Sequence, residues 1–90
     1  MTFQERYHSE STWHGKVLVM EIYHLVMITR DKDWTITKTA KDFDCSIGLV
    51  SENLKLANAI HRNDSILMCP TRQEALKRIP KREQANYGYT

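Results

Sequence analysis

Apolar residues recur along this chain at the three-to-four-residue spacing that is typical of helices. The longest such pattern covers residues 13–30, where Val17, Met20 and His24 fall on one face. A pattern of this length is too long for an ordinary strand, so we predict a helix. A second apolar row lies beside the first and contains Leu18, Ile22, Leu25 and Val26. This second row predicts either a helix at the centre of the fold or a helix whose outer face is covered by another subunit.

Residues 35–56 have the pattern of two short helices joined by a tight turn. Ala40 is small enough to let the two helices approach closely, and Asp44 is one of the few residue types that tolerate the left-handed conformation of such a turn. Ser46 carries the hydroxyl expected of a cap on the second helix. The predicted inner side chains are Ile36, Ala40, Phe43, Cys45, Val50 and Leu54. Together these features predict a helix-turn-helix motif.

The second helix of the motif, predicted over residues 47–61, separates into two faces. Its buried sector is predicted to contain Val50, Leu54, Ala57 and His61, flanked by Leu49, Leu56 and Ile60. Its opposite face holds Gly48, Ser51, Glu52 and Lys55. We predict that this polar face enters the major groove of duplex DNA, where a carboxylate accepts from cytosine and an ammonium group reaches guanine or phosphate.

The predicted DNA contacts include the starts of both helices of the motif. Thr35, Thr37 and Lys38 open the first helix, where hydroxyls, a cation and backbone N–H groups suit phosphate oxygens. The full predicted set is Thr35, Thr37, Lys38, Ser46, Ile47, Gly48, Ser51, Glu52, Lys55 and Arg62. We therefore treat 47–61 as the recognition helix and the first helix as its support on the DNA backbone.

The segments that flank the motif predict further elements. Phe3 and Tyr7, four residues apart, fit a short helix held on the domain by its rings, with a frayed terminus as the alternative. Residues 65–69 are a short apolar run that predicts one strand or a packed loop. Thr71 with Glu74 three residues later is a capping-box signal for a last helix.

These elements make one small domain. We predict an all-α helix-turn-helix domain of four to five helices over residues 1–80, with a minor extended segment as the alternative at 65–69. The last ten residues, 81–90, are polar and begin with two cations, so they predict a disordered basic tail. A chain of 90 residues buries only about 60% of the surface that its unfolded form exposes, so its core is thin and association with a second copy would stabilise it.

Charge is unevenly distributed along the chain. The formal net charge is only +2, but residues 1–45 hold six Lys or Arg and seven Asp or Glu, whereas 46–90 hold seven and four. The excess of cations therefore begins in the predicted recognition helix and continues beyond it. That is where a polyanion would lie if the motif binds nucleic acid.

Other chemistries are poorly represented. The two cysteines and four histidines lack the spacing of zinc ligands, and the chain has no glycine-rich phosphate loop, so we expect no metal, no cofactor and no enzymatic activity. The sequence also shows no secretory signal and no apolar run long enough to cross a bilayer. We expect a cytoplasmic protein with reduced cysteines and no membrane partner.

Residues 39–56, TAKDFDCSIGLVSENLKL, resemble the helix-turn-helix of the ParB/KorB-type partition proteins and of related phage and plasmid DNA-binding proteins and transposase ends. The matching anchors are Ala40, Ser46, Val50 and Leu54. Asp44 stands where glycine is usual, and Asn53 stands where an apolar residue is common. The resemblance implies a DNA-binding motif of phage or plasmid type.

We predict that the protein binds double-stranded DNA and forms a homodimer or higher homo-oligomer through residues 16–29. Its expected role is that of a small transcriptional regulator or architectural binder in a bacterium, plasmid or phage-infected host. One alternative is DNA recognition for a larger machine, as in a small terminase subunit of phage packaging. The other is a protein-interaction module, such as a phage factor that docks on host RNA polymerase.

Overall fold

The computed structural model describes residues 2–79, and this part of the chain is helical, without strands. Its α-helices are α1 (Phe3–Ser9), α2 (Trp13–Arg30), α3 (Ile36–Phe43), α4 (Ile47–Arg62) and α5 (Arg72–Arg78), with a 3-10 helix (Asp64–Met68) between α4 and α5. The predicted all-α class is confirmed. The predicted tail at 81–90 lies outside the described residues.

Helix α1 is a formed helix, which confirms one of the two interpretations that its sequence allows. Thr2 and Glu5 make a reciprocal capping box at its start. The ring of Phe3 meets Tyr23 edge-on at 5.5 Å between centroids, and Tyr7 meets Phe43 at 5.2 Å. These rings hold α1 on α2 and α3.

Helix α2 has the predicted bounds and the predicted inner face. Thr12 caps it by accepting from the Gly15 N–H. Val17 and Met20 are fully buried. The second apolar row of α2 is not buried in the same way, because Ile22 and Leu25 are 50% and 43% exposed. Within the described chain this second apolar row is thus only partly covered.

The predicted turn between α3 and α4 is confirmed. Asp44 has φ 55° and ψ 50°, and it is the one non-glycine residue with positive φ in the described chain. Its N–H bonds back to α3, and the Ser46 hydroxyl accepts from the Leu49 N–H at 3.1 Å to cap α4. An aspartate therefore makes the left-handed turn that glycine makes more easily.

Two clusters of buried residues hold the helices together. The first, which we call the aromatic core, consists of Met20, Ala40, Phe43, Val50 and Leu54, with Phe3, Tyr7, Tyr23, Ile36 and Cys45 packed against it. The second, which we call the aliphatic core, consists of Val17, Leu56, Ala57, Ala59, Ile60, Ile66, Cys69, Ala75 and Ile79, with Trp13, Leu18 and Leu76 packed against it. The aromatic core lies under the helix-turn-helix, and the aliphatic core joins α2 and α4 to α5.

The extended segment considered at 65–69 is wrong, because these residues belong mainly to the 3-10 helix. Asn63 starts this helix by accepting from the Ser65 N–H through its side chain at 3.1 Å. At its other end the Cys69 carbonyl accepts from the Trp13 indole N–H at 2.8 Å. The apolar run therefore forms a compact turn over the aliphatic core rather than a strand.

The buried position predicted for His61 is also wrong. Its side chain is 59% exposed, and its Nε2 lies 2.8 Å from the Glu21 carboxylate. In α5, by contrast, the predicted Thr71 cap is confirmed, and Ala75 and Ile79 are buried. The aliphatic core thus covers the flank of α4 that faces α5 and leaves His61 at its edge.

Candidate nucleic-acid interface

Helix α4 presents a continuous exposed or half-buried face to the outside, which we call the outer face. It begins with Ile47, and from Gly48 onward its residues succeed one another at spacings of three and four: Gly48, Ser51, Lys55, Asn58 and Arg62. All of these residues except Asn58 belong to the predicted DNA contacts, and Asn58 is an addition. Leu56 and Ala59 are buried by the aliphatic core. Glu52, which lies beside them on the helix, is therefore at the edge of the outer face and not at its centre.

The start of α4 is open to approach. The Ile47 side chain is 51% exposed. A Cβ added at Gly48 would meet nothing nearer than the Ser46 hydroxyl at 4.0 Å, so the packing of the domain does not require glycine there. Another molecule can therefore come close to the first turn of the helix.

The predicted contacts on α3 form a separate group. Thr35 and Thr37 are exposed at the start of α3, and the Thr35 hydroxyl accepts from the Lys38 N–H. Since α3 has eight residues, its start lies about 12 Å along the helix axis from the turn. The structure thus places these threonines at the surface, but at the opposite end of α3 from the start of α4.

Lys38 has neighbours of its own within the loop before α3. Its ammonium group lies 3.9 Å from the Asp31 carboxylate and 3.5 Å from the Asp33 carbonyl, and it sits over the Trp34 ring at 5.7 Å. A phosphate would have to compete with these groups for Lys38.

Beneath α3 lies a buried polar cluster. The Thr39 hydroxyl, which is fully buried, accepts from the Trp34 indole N–H at 2.8 Å and lies 2.6 Å from His24 Nδ1. Burial lowers the pKa of His24. A neutral Nδ1 can accept from Thr39 while Thr39 accepts from Trp34, so all three groups are bonded.

Tyr23 adds a further polar contact on the same side. Its hydroxyl donates to the Asp42 carboxylate. Burial, together with the Asp42 carboxylate, raises the pKa of Tyr23 to about 12. Both this pair and the Trp34–Thr39–His24 cluster hold α3 on α2, which makes them structural rather than ligand-binding features.

Sequence reasoning did not find the partner of Glu52. Arg72, the first residue of α5, donates from Nη2 to Glu52 Oε1 at 2.8 Å and from Nε to Asn53 Oδ1 at 2.8 Å. Asn53 is 1% exposed, although its position in the motif suggested an apolar side chain. One available signal was this polar residue itself, because a buried amide needs a partner.

The described part of the chain holds no group of three or more His, Cys, Asp or Glu side chains arranged to bind a metal ion. No helix among residues 2–79 combines the length and apolar character needed to span a membrane. Comparison with known proteins gave no match to a family model, a curated protein or a solved structure.

Proposed function

We propose that this protein is a helix-turn-helix DNA-binding protein whose helix α4 lies in the major groove. The observation that carries the proposal is the left-handed turn at Asp44 followed by the Ser46 cap, which projects the start of α4 outward from the aromatic core. Such a turn, followed by a second helix with an exposed polar face, is the geometry that this class of motif uses. A small transcriptional regulator or architectural binder is the role we favour.

The size of α4 suits a groove. A helix of 16 residues is about 24 Å long, and the major groove of B-form DNA is about 12 Å wide and admits one helix. Gly48 lets the first turn approach a groove wall. Ser51 and Asn58 offer hydroxyl and amide groups that can exchange hydrogen bonds with base edges.

The cations of the outer face supply the expected attraction to phosphate. Lys55 and Arg62 lie two turns apart on this face, so both can reach the backbone on one side of a groove. Each phosphate neutralised by a cation adds about 0.9 to the slope of log affinity against log salt. Binding should therefore weaken steeply as salt increases.

A titration on a duplex of random sequence at several salt concentrations tests this proposal. We expect Lys55→Ala to weaken binding and to reduce the salt slope by about one. Lys32→Ala, an exposed lysine in the loop after α2, is the matched control and should leave both quantities unchanged. Affinity that is independent of salt and of Lys55 would contradict DNA binding.

We also propose that the protein is a homodimer that pairs through α2. Leu18, Ile22, Leu25 and Thr29 follow one another at spacings of four, three and four residues, which is the seam spacing of paired helices. Ile22 and Leu25 keep about half of their surface exposed. Glu21, beside this seam, bonds to His61 at the C-terminal end of α4, so the proposed interface lies away from the start of the recognition helix.

Sedimentation at tens of micromolar protein tests the dimer. The wild-type chain should sediment as a dimer, and Leu25→Glu should give a folded monomer. Gln73→Glu places the same charge on the exposed face of α5 and should leave the dimer intact. A monomeric wild-type protein would contradict the proposal, and a ring of many copies would favour a terminase-like packaging role.

A protein-interaction module is the second candidate, and the exposed Ile47 at the tip of α4 is the observation that favours it. A DNA-reading face is normally rich in polar groups, whereas a protein-binding tip often carries an apolar anchor. Selection of bound sequences from a random duplex library separates the roles. A narrow consensus supports a regulator, loose enrichment supports an architectural or packaging protein, and no retained DNA supports the protein-binding alternative.

A further inference from the structure

Helix α5 brings a cation to the edge of the outer face. Thr71 caps α5 by accepting from the Glu74 N–H at 3.2 Å, and this cap fixes Arg72 as the first residue of the helix. The guanidinium group of Arg72 then lies against α4, with 22% of the side chain exposed. A residue that is distant in sequence thereby becomes part of the surface beside Glu52.

The Nε edge of this guanidinium is held by the buried side-chain amide of Asn53. Asn53 donates from Nδ2 to Met20 Sδ at 3.3 Å, which directs its Oδ1 toward Arg72. Arg72 Nε donates to that oxygen at 2.8 Å. Because Asn53 is almost completely buried, its carbonyl oxygen depends on protein partners such as this guanidinium.

The Nη2 end of the guanidinium is held by Glu52. Its Oε1 accepts from Arg72 Nη2 at 2.8 Å, and its side chain is 48% exposed. A guanidinium has five N–H donors in a planar fork, and these two bonds use two of them. The remaining donors belong to the Nη atoms, at the end of the side chain farthest from α5.

From this geometry we infer that Arg72 binds a DNA backbone phosphate at the margin of the groove, and that Glu52 positions Arg72 instead of reading a base. The inference rests on the proposed function and deepens it. A guanidinium whose plane is fixed on two sides is pre-organised for the forked acceptor that a phosphate offers. The location at the edge of the outer face, rather than at its centre, favours phosphate over guanine, since phosphates border the groove.

Glu52 has a different part in this arrangement from the one that the sequence suggested. Its carboxylate already accepts from Arg72, and an additional negative charge beside a phosphate is repulsive. As a positioning residue it should contribute orientation without contributing to sequence preference. This distinguishes it from a carboxylate that accepts from a cytosine amino group.

The test compares Arg72→Gln, Arg72→Lys and Glu52→Gln with Lys55→Ala, both by titration on random duplexes over a series of salt concentrations and by selection of bound sequences from a random duplex library. Arg72→Gln should lower the salt slope by about 0.9 and weaken binding on all sequences alike. Arg72→Lys retains the charge, so it should keep the salt slope while binding several-fold more weakly, because the fork is lost. Thermal unfolding of each variant identifies any that fail to fold.

Several results would overturn the inference. A folded Arg72→Gln protein with the wild-type salt slope would show that Arg72 is only a tie between α4 and α5. A consensus that changes at one base in Arg72→Gln would identify a guanine reader, and a consensus that changes in Glu52→Gln would restore Glu52 as a base contact. If Lys55→Ala lowers the slope while Arg72→Gln does not, this inference fails alone; if the wild-type protein shows no salt-dependent binding, the proposed function fails with it.

Discussion

The aromatic core and the aliphatic core both hold helices together, but they use different kinds of side chain. In the aromatic core, Phe43 meets Tyr7 and Tyr23 edge-on, with ring centroids 5.2 and 5.1 Å away. In the aliphatic core, alanines such as Ala57 and Ala75 are fully buried and bring helix backbones close together. One core is built from large directional rings, and the other is built from small residues with aliphatic neighbours.

The difference follows what each core has to position. Edge-to-face ring contacts favour particular angles, so they suit the crossing of α1, α2 and α3 beneath the motif. Small residues permit close approach, so they suit a short helix such as α5 that has little surface of its own to bury. Arg72 and Asn53 lie between the two cores and connect the one to the other.

The largest effect is expected from Phe43→Ala. Phe43 is 1% exposed, and its removal should lower the free energy of unfolding by about 3–5 kcal/mol, most of what a small domain has. Leu56→Ala, at a fully buried site in the aliphatic core, should lower it by less, because Phe43→Ala also removes two ring contacts. Urea unfolding measures both, and Phe43→Leu serves if Phe43→Ala does not fold. A greater loss in Leu56→Ala than in Phe43→Ala would break the comparison.

Ala75→Leu should have the next largest effect. Ala75 is fully buried where α5 meets α4, so extra methylene groups should push the helices apart and lower stability by about 1–3 kcal/mol. Gln73→Leu adds the same side chain at an exposed position of α5 and should change stability by less than about 0.5 kcal/mol. Equal unfolding midpoints for the two variants would show that the aliphatic core is loosely packed.

His24→Asn should change how the stability of the protein depends on pH. Burial lowers the pKa of His24 from its ordinary value of 6.5, so the unfolded chain binds a proton on His24 more readily than the folded chain does. Stability from this residue is therefore present above pH 6.5 and is lost as the pH falls below it. His24→Asn should flatten the stability profile between about pH 7 and 5.

The control for this pH measurement is His8→Asn, at an exposed position of α1. It removes an imidazole outside the buried cluster of His24, so the difference between the two profiles isolates the contribution of His24. A profile that is equally steep with and without His24 would mean that another titratable group of the protein carries the acid sensitivity.

The smallest effect is expected at the turn. Asp44→Gly should raise stability by less than about 1 kcal/mol, because relief of the positive φ is partly offset by the greater freedom of glycine in the unfolded chain. Asp44→Ala should lower stability by a similar amount, since alanine tolerates this conformation less well. Thermal unfolding distinguishes them by sign, and two shifts in the same direction would refute the assignment of backbone strain to Asp44.

Features with a local signal are predictable from the sequence. Asp44 and Ser46 indicate the turn and the cap because both act on backbone groups within a few residues. The bounds of α2 follow from an apolar pattern that is too long for a strand. The all-α class and the turn between α3 and α4 therefore need no information beyond neighbouring residues.

Features that depend on distant partners are not predictable in this way. Arg72 meets Glu52 from 20 residues away, and His61 meets Glu21 from 40 residues away. Helical periodicity places a residue on a face but does not say which neighbour covers that face, so the prediction for His61 is wrong and Asn58 was not predicted. The run at 65–69 is too short for periodicity to separate a strand from a 3-10 helix.

The two cores each contain one thiol. Cys45 is half-buried against the aromatic core, where burial raises its pKa, and Cys69 is 3% exposed in the aliphatic core. Since a thiol reagent reacts with the exposed thiolate, labelling of Cys69 in the native protein requires the aliphatic core to open, whereas Cys45 is already partly accessible. The labelling rate of Cys69, with the partly accessible Cys45 as an internal reference, would therefore report how often α5 separates from the aliphatic core.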